Sequence, residues 1–203
     1  MKFDSAGLMP VIVQDDLTGE VRMLAYADAE ALERTRTSKH ATFFSRSRSA
    51  PWVKGESSGN TVEVREVRLD CDEDAALYLG HAKGPTCHTG AETCFAGARK
   101  PLLVALEAEL EARKASTGEK SYTKSLYEGG ARRIGEKLRE EADELARAVD
   151  AEADSRVVSE AADLVYHVMV ALRHRNVPLR DVLAELDRRF GQSGHEEKAS
   201  RRA

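Results

Sequence analysis

Hydrophobic periodicity changes once along this chain, at a seam between Gly97 and Pro101, and that change limits what it can fold into. Before the seam, short apolar runs alternate with polar residues and are separated by Gly, Asp and Thr, the pattern of half-buried strands and turns. After it, apolar residues recur at helical spacing in a background of Ala, Leu, Glu and Arg. A run of strands followed by a run of helices predicts an α+β chain: a β-rich domain over residues 1–99, whose cysteines and aspartates make it a candidate for metal binding, and an all-α helical bundle over residues 100–203. A length of 203 residues accommodates two such small domains.

The expected strands cover residues 11–14, 21–26, 42–46, 61–70 and 75–81. Residues 15–20 form a hairpin loop, and Asp28 caps a helix over residues 29–37. The alternation of Val62 and Val64 with charged residues changes phase near Arg65–Glu66 before Val67 and Leu69, which predicts a bulge. Helices are expected over residues 102–114, 122–128, 131–150, 156–175 and 178–190. Gly129-Gly130 separates the second from the third. Asp154 or Ser155 caps the fourth, Pro178 lies in the first turn of the fifth, and Gly191 caps its end. Residues 192–203 are expected to be disordered.

Charge and composition remove several classes of function. A net charge of −4 argues against a nucleic-acid-wrapping surface, because phosphate binding there is Lys and Arg neutralisation. No apolar run approaches the roughly 18 residues of a spanning helix, and no secretory signal is evident, so no membrane partner and a cytoplasmic location are expected. Three cysteines, an odd number, disfavour a disulfide framework.

Those cysteines are Cys71, Cys87 and Cys94. Cys71 sits within Asp70-Cys71-Asp72-Glu73-Asp74. If this segment is extended, Asp70, Asp72 and Asp74 share one face and Cys71 points to the other. Three carboxylates suit a hard cation of the Mg²⁺ type, whereas thiolates suit Zn²⁺. Cys71 and the aspartates then serve different ions, or Cys71 reaches a neighbouring subunit. Cys87 and Cys94 lie in a Gly/Pro/Thr-rich loop that can turn both thiols to one point. Three thiols without a fourth partner fit a catalytic zinc with one open position, and His88 beside a ligand can move a proton. The plainer alternative is three buried cysteines and a solvated acidic turn. Upstream, Arg46, Arg48 and Lys54 with Ser57, Ser58 and Gly59 can cradle a phosphate, or can be an exposed basic loop. Trp52 is either core or a platform for a base.

Met23-Leu-Ala-Tyr26, Ser45-Arg-Ser-Arg48, Trp52 with Lys54-Gly-Glu-Ser-Ser-Gly-Asn60, Val64 through Asp74, and Cys87-His-Thr-Gly90 through Cys94-Phe95 together resemble phosphoribosyl-AMP cyclohydrolase. The resemblance spans about residues 8–97. It implies zinc at Cys71, Cys87 and Cys94, magnesium at Asp70, Asp72 and Asp74, and hydrolysis of the purine N1–C6 bond in histidine biosynthesis. It also implies a homodimer that shares the zinc site between subunits, and substrate contacts from Arg46, Arg48, Trp52, Lys54, Ser57, Ser58, Gly59 and Asn60. The chain departs from that family's usual pattern at Ala27-Asp28 and at Thr42-Phe-Phe44.

In the back half, the helix over residues 131–150 is expected to bury Ile134, Leu138, Ala142, Leu145 and Val149, with Glu141 and Glu144 on one shoulder and Glu140 solvated. The next helix is expected to bury Val157, Ala161, Leu164, Val165, Val168 and Leu172, with Glu160, Asp163 and His167 as a polar stripe. His167 is read as a supporting hydrogen-bond partner. Carboxylates at i and i+3 on two facing helices can chelate Mg²⁺, although Glu-rich faces are common without an ion. The pattern Glu141-x-x-Glu144 … Glu160-x-x-Asp163 is similar to that of all-α nucleotide pyrophosphohydrolases. Ser121-Tyr-Thr-x-x-Leu126, Gly130, Ile134, Lys137 and Ala162-Asp-Leu-x-Tyr-His167 resemble phosphoribosyl-ATP pyrophosphohydrolase over about residues 102–190. This second resemblance implies Mg²⁺-dependent cleavage between the α and β phosphates, with Lys137 neutralising phosphate charge. The substrates expected are small phosphoribosyl nucleotides. The competing classes are a house-cleaning pyrophosphatase with a structural zinc domain and a non-catalytic metal-dependent regulator.

Overall fold

The computed structural model describes residues 1–116 and 121–190. Gly191 as a helix cap and the expected disorder of residues 192–203 lie outside the described residues. The chain divides into two compact units, Met1–Lys100 and the residues from Pro101 onward.

The first unit is a mixed sheet with one helix. β1 (Met9–Asp15) pairs antiparallel with β2 (Val21–Ala27), and α1 (Ala29–Ser38) follows. Asp28 caps α1 as expected, its carboxylate accepting the Ala31 N–H at 2.8 Å. β3 (Thr42–Ser45) and β4 (Ala50–Val53) form a separate two-stranded ribbon. The sequence reading missed β4, a four-residue strand carrying Pro51, because proline demotes a run to edge pairing. β5 (Val62–Leu69) and β6 (Ala76–Ala82) pair antiparallel, and β6 runs parallel to β1, so the four-stranded order is β2-β1-β6-β5. The expected bulge is present, with the register shifting between Val64 and Glu66. Alternate residues of β1 and β6 face α1 and the ribbon, and Met9, Val11, Val13, Leu32, Phe43 and Tyr78 form the centre of the core.

The second unit is helical: α2 (Leu102–Ala115), α3 (Tyr122–Ala151), α4 (Asp154–His174) and α5 (Leu179–Arg189). An α+β chain with a sheet region preceding a helical region is therefore observed. The expected break at Gly129-Gly130 is a sharp kink inside α3, where Gly130 takes φ 65° and ψ −165°. Two cap assignments are corrected. Ala153, not Asp154 or Ser155, is the N-cap of α4, and Asp154 joins its first turn; Pro178 is the N-cap of α5 rather than a residue of its first turn.

The buried faces of the two long helices also need correcting. On α3 the face runs Ile134, Leu138, Glu141, Leu145, Ala148, while Ala142 is exposed and Val149 is 67% exposed. On α4, Glu160 and His167 face inward, and Val165 and Val168 are exposed. Of the stripe read as the polar side of α4, Glu160 and His167 are thus on its packed side, while Asp163 is exposed. α3 and α4 pack more extensively on one another than on any other helix, so they choose the faces that complement each other rather than each helix's most apolar arc.

Candidate functional site

Each unit carries a cluster of potential ligands. In the first unit, Lys54 to Asn60 form a tight loop. Gly55 adopts φ +83°, and a Cβ there would fall 2.4 Å from the Asn60 carbonyl carbon, so no other residue permits this closure. The Gly59 N–H donates to the Gly55 carbonyl at 2.8 Å, and Lys54 Nζ donates to the Asn60 carbonyl at 3.2 Å.

The cysteine loop is bolted onto the start of β2. The Arg22 carbonyl accepts the Cys94 N–H at 2.9 Å and the Thr86 hydroxyl at 3.2 Å, and the Thr93 hydroxyl donates to the Val21 carbonyl at 2.9 Å. The buried Arg22 guanidinium bridges Glu20 at 2.7 Å and Glu92, on the loop, at 2.8 Å. Sequence reading missed Arg22, because nothing local signals a pairing 70 residues away. Cys87 and Cys94 come together within hydrogen-bonding reach. The Thr89 hydroxyl, 3.1 Å from Cys87 Sγ, is the largest influence lowering that thiol's pKa, whereas burial pushes the Cys94 thiol up. Burial also lowers the Lys54 ammonium, partly offset by attraction to both thiols.

A cavity of about 580 Å³ joins these pieces. Of the expected substrate-binding residues, Arg48, Trp52, Lys54, Ser57, Ser58 and Asn60 line it, and Cys87, His88 and Cys94 form its other side. His88 Nδ1 lies 3.9 Å from Cys87 Sγ. Arg46 lies instead on a second cavity, its guanidinium 4.0 Å over the Tyr26 ring, and Gly59 is not among the residues lining either. Trp52 borders both cavities and also packs on Phe43 at 5.1 Å, so it is part core and part wall.

The segment Asp70–Asp74 is a turn and not an extended strand, which removes the face-alternation argument. Asp70 Oδ1 accepts the Asp74 and Ala75 N–H groups at 3.0 and 3.1 Å, and Glu73 takes φ 64°. The turn brings oxygens of Asp70, Asp72 and Asp74 within 4.8 Å of one another, all exposed. The Ala75 N–H holds the Asp70 carboxyl below its usual range, while repulsion from Asp72 raises that of Asp74. Cys71 is exposed on this turn, and no cluster among the described residues unites it with Cys87 and Cys94.

In the second unit, Glu141 and Glu160 are 6% and 3% exposed, and they and Glu144 bring oxygens within 4.8 Å of one another across α3 and α4. Buried carboxylates this close repel unless a cation sits with them, so the donor set fits a hard divalent ion. Two side-chain cations flank the cluster: Lys137 Nζ lies 2.9 Å from both Glu140 and Glu141, and Arg156 Nη2 lies 2.5 Å from Glu160. The Glu141 carboxylate holds Lys137 above the usual lysine range, and burial raises Glu160. Glu140 is exposed as expected. Asp163 is exposed and lies outside the close group. His167 is a hydrogen-bonding residue as read, contacting the Asp163 carbonyl and the Tyr122 hydroxyl, each at 2.8 Å. Arg156 could have been found as the residue four before Glu160, whereas no spacing rule points to Tyr122.

Residues 23–96 match the family model of phosphoribosyl-AMP cyclohydrolase, and residues 103–190 match that of phosphoribosyl-ATP pyrophosphohydrolase. The chain is 44% identical to the chloroplastic histidine biosynthesis bifunctional protein hisIE of Arabidopsis thaliana, over 99% of this chain and 79% of that protein. It is 43% identical to the histidine biosynthesis bifunctional protein HisIE of Caldanaerobacter subterraneus subsp. tengcongensis, over 94% of this chain and 96% of that one. It is 42% identical to the Bacillus subtilis HisIE protein, over 95% and 96%.

Proposed function

This chain belongs to the family of histidine biosynthesis bifunctional proteins, and from that premise we propose how its two units divide the work. The chain is a hydrolase with both phosphoribosyl-AMP cyclohydrolase and phosphoribosyl-ATP pyrophosphohydrolase activities. Residues 100–203 hydrolyse phosphoribosyl-ATP to phosphoribosyl-AMP and pyrophosphate, and residues 1–99 then open the purine ring of that product at N1–C6. The observation that carries this division is that each compact unit holds its own potential ligands: a cavity lined by Cys87 and Cys94 together with an exposed aspartate turn in the first, and a buried cluster of three glutamates in the second.

In the helical unit, Glu141, Glu144 and Glu160 would hold Mg²⁺, with Asp163 one turn along from Glu160 as a further candidate ligand. Bound there, the ion would offset the negative charge that phosphate oxygens present to an attacking water. Lys137 neutralises phosphate charge as it neutralises Glu140 and Glu141 here. In the first unit, Arg48, Lys54, Ser57, Ser58 and Asn60 bind the phosphates and Trp52 bounds the base, while Arg46, on the neighbouring cavity over Tyr26, and Gly59 stand outside that group. Cys87 and Cys94 would supply two ligands to a zinc ion, which when bound would acidify a water to a pKa of about 7. His88 carries the proton to the ring nitrogen that leaves. The turn of Asp70, Asp72 and Asp74 would hold Mg²⁺.

The third thiol comes from a second copy, the partner subunit's Cys71, in a homodimer. Two features support this: Cys71 is exposed apart from the other two thiols, and Ile12 and Leu24 are exposed on the outer face of the sheet. Three free thiols also fit a reducing, cytoplasmic setting, and no helix among the described residues is long and apolar enough to cross a membrane.

Paired substitutions test the division. Glu160→Gln abolishes pyrophosphate release and spares ring opening, and Cys87→Ala lowers ring opening by orders of magnitude and spares pyrophosphate release. Equal loss of both activities in either folded variant rejects it.

A further inference from the structure

Tyr122 opens α3, and Glu141 lies on the same helix nineteen residues later. A straight helix would separate them by about 28 Å. The kink at Gly130 folds the first two turns back, so that the Tyr122 hydroxyl lies 2.8 Å from His167 Nε2. His167 is 3% exposed, so water does not compete for its ring. Its other nitrogen, Nδ1, lies 2.8 Å from the Asp163 carbonyl and 3.7 Å from Glu141 Oε1. A carbonyl oxygen only accepts, so Nδ1 carries a proton, which leaves Nε2 to accept from the Tyr122 hydroxyl in the Nδ1–H tautomer. Tyr166 also meets the His167 ring edge-on, but its hydroxyl pairs with Thr123 at 2.7 Å.

We propose that Tyr122 is a positioning residue for the acidic cluster of the helical unit: by donating to Nε2 it pins the far side of the His167 ring, so that the Nδ1–H edge, already bonded to the Asp163 carbonyl, stays turned to the Glu141 carboxylate. Lys137 approaches the same oxygen of Glu141 at 2.9 Å, so the carboxylate is steadied from two sides at Oε1. Partners that orient a ligand in this way govern ion affinity without touching the ion. The inference rests on the reading that Glu141, Glu144 and Glu160 hold a divalent cation.

The test uses the full chain carrying Asp70→Asn, Asp72→Asn and Asp74→Asn, with Mn²⁺ alone as the probe. In this parent, long-range proton–nitrogen correlations report His167 as the Nδ1–H tautomer; an Nε2–H tautomer overturns the inference without any further substitution. Adding Tyr122→Phe, which keeps the ring, leaves Nδ1–H on the Asp163 carbonyl but shifts the Nε2 nitrogen resonance, which loses its hydrogen bond, and weakens Mn²⁺ binding about 10- to 100-fold. Adding Tyr166→Phe instead leaves that resonance as it was. An unchanged Nε2 resonance in the Tyr122→Phe protein, or Mn²⁺ affinity within twofold of the parent, overturns the positioning role alone. A parent that binds no Mn²⁺ overturns the ion site, and this inference with it.

Discussion

Replacing Gly130 with alanine should destabilise the helical unit, while the same change five residues later should stabilise it. At φ 65° and ψ −165°, Gly130 occupies a region essentially closed to other residues. A Cβ there would meet nothing within 4 Å, so the penalty is backbone strain alone, about 1–3 kcal/mol. Straightening α3 to escape the strain would break the Tyr122–His167 and Thr123–Tyr166 hydrogen bonds and expose Leu126, now fully buried. Losing the burial of that leucine alone costs roughly 1.5–3 kcal/mol. At Gly135, inside the regular helix, a Cβ would meet only the end of the Arg139 side chain at 3.7 Å, and alanine should gain up to about 1 kcal/mol. The two variants should therefore differ by about 2–4 kcal/mol with opposite signs. Urea unfolding read by far-ultraviolet circular dichroism follows the helices, while the single tryptophan, Trp52, reports the first unit independently. Gly130→Ala should also depress pyrophosphate release while leaving ring opening intact, because it moves Tyr122 off His167. A neutral or stabilising Gly130→Ala with full pyrophosphate release would refute the argument that the kink builds this site.

Arg22→Met should destabilise the first unit by about 3–5 kcal/mol, since it strands the buried Glu20 carboxylate and unties Glu92 from β2; a loss under about 1 kcal/mol by Trp52 fluorescence would mean the ion pair does not hold the loop. The Tyr78 phenol is pushed up to about 12, chiefly by burial. Burial thus penalises its ionised form, so deprotonation at high pH favours the unfolded chain. The neutral phenol keeps its full contribution to the fold below about pH 10, the unfolded value, and stability falls as pH rises from there through about 12, by a loss on the order of 3 kcal/mol at most. Tyr78→Phe should flatten the alkaline limb of the first unit's stability profile, at a cost near neutral pH of about 1 kcal/mol for its hydrogen bonds to Thr35 and Thr42. An alkaline limb of unchanged steepness in that variant would assign it to other groups.

Features decided by neighbours in sequence were legible. Asp28 caps α1 because a carboxylate reaches an N–H three residues on, and the bulge in β5 follows from the phase change beside Arg65. Gly130 was legible as a break but not as a fold-back. The inward face of α3 was misread because Ala142 and Val149 look like core in isolation, whereas in the bundle the buried place at that level goes to Glu141. The aspartate segment, left open between an extended run and a solvated turn, is the turn because the N–H groups of Asp74 and Ala75 fold it back on Asp70.

From the order of residues alone came the change of architecture at the glycine–proline seam, the residue types able to bind ions, and the family resemblance that the comparisons bear out. Which of those residues meet was decided by the folded chain. Arg22 reaches Glu92 on the cysteine loop, two thiols and a glycine-closed loop share one cavity, and the tyrosine that opens α3 faces a histidine on α4. The physical reason is that backbone propensities and caps act within a helical turn or a strand pair. Burying a charge, by contrast, needs a partner whose position is set only when distant segments pack together.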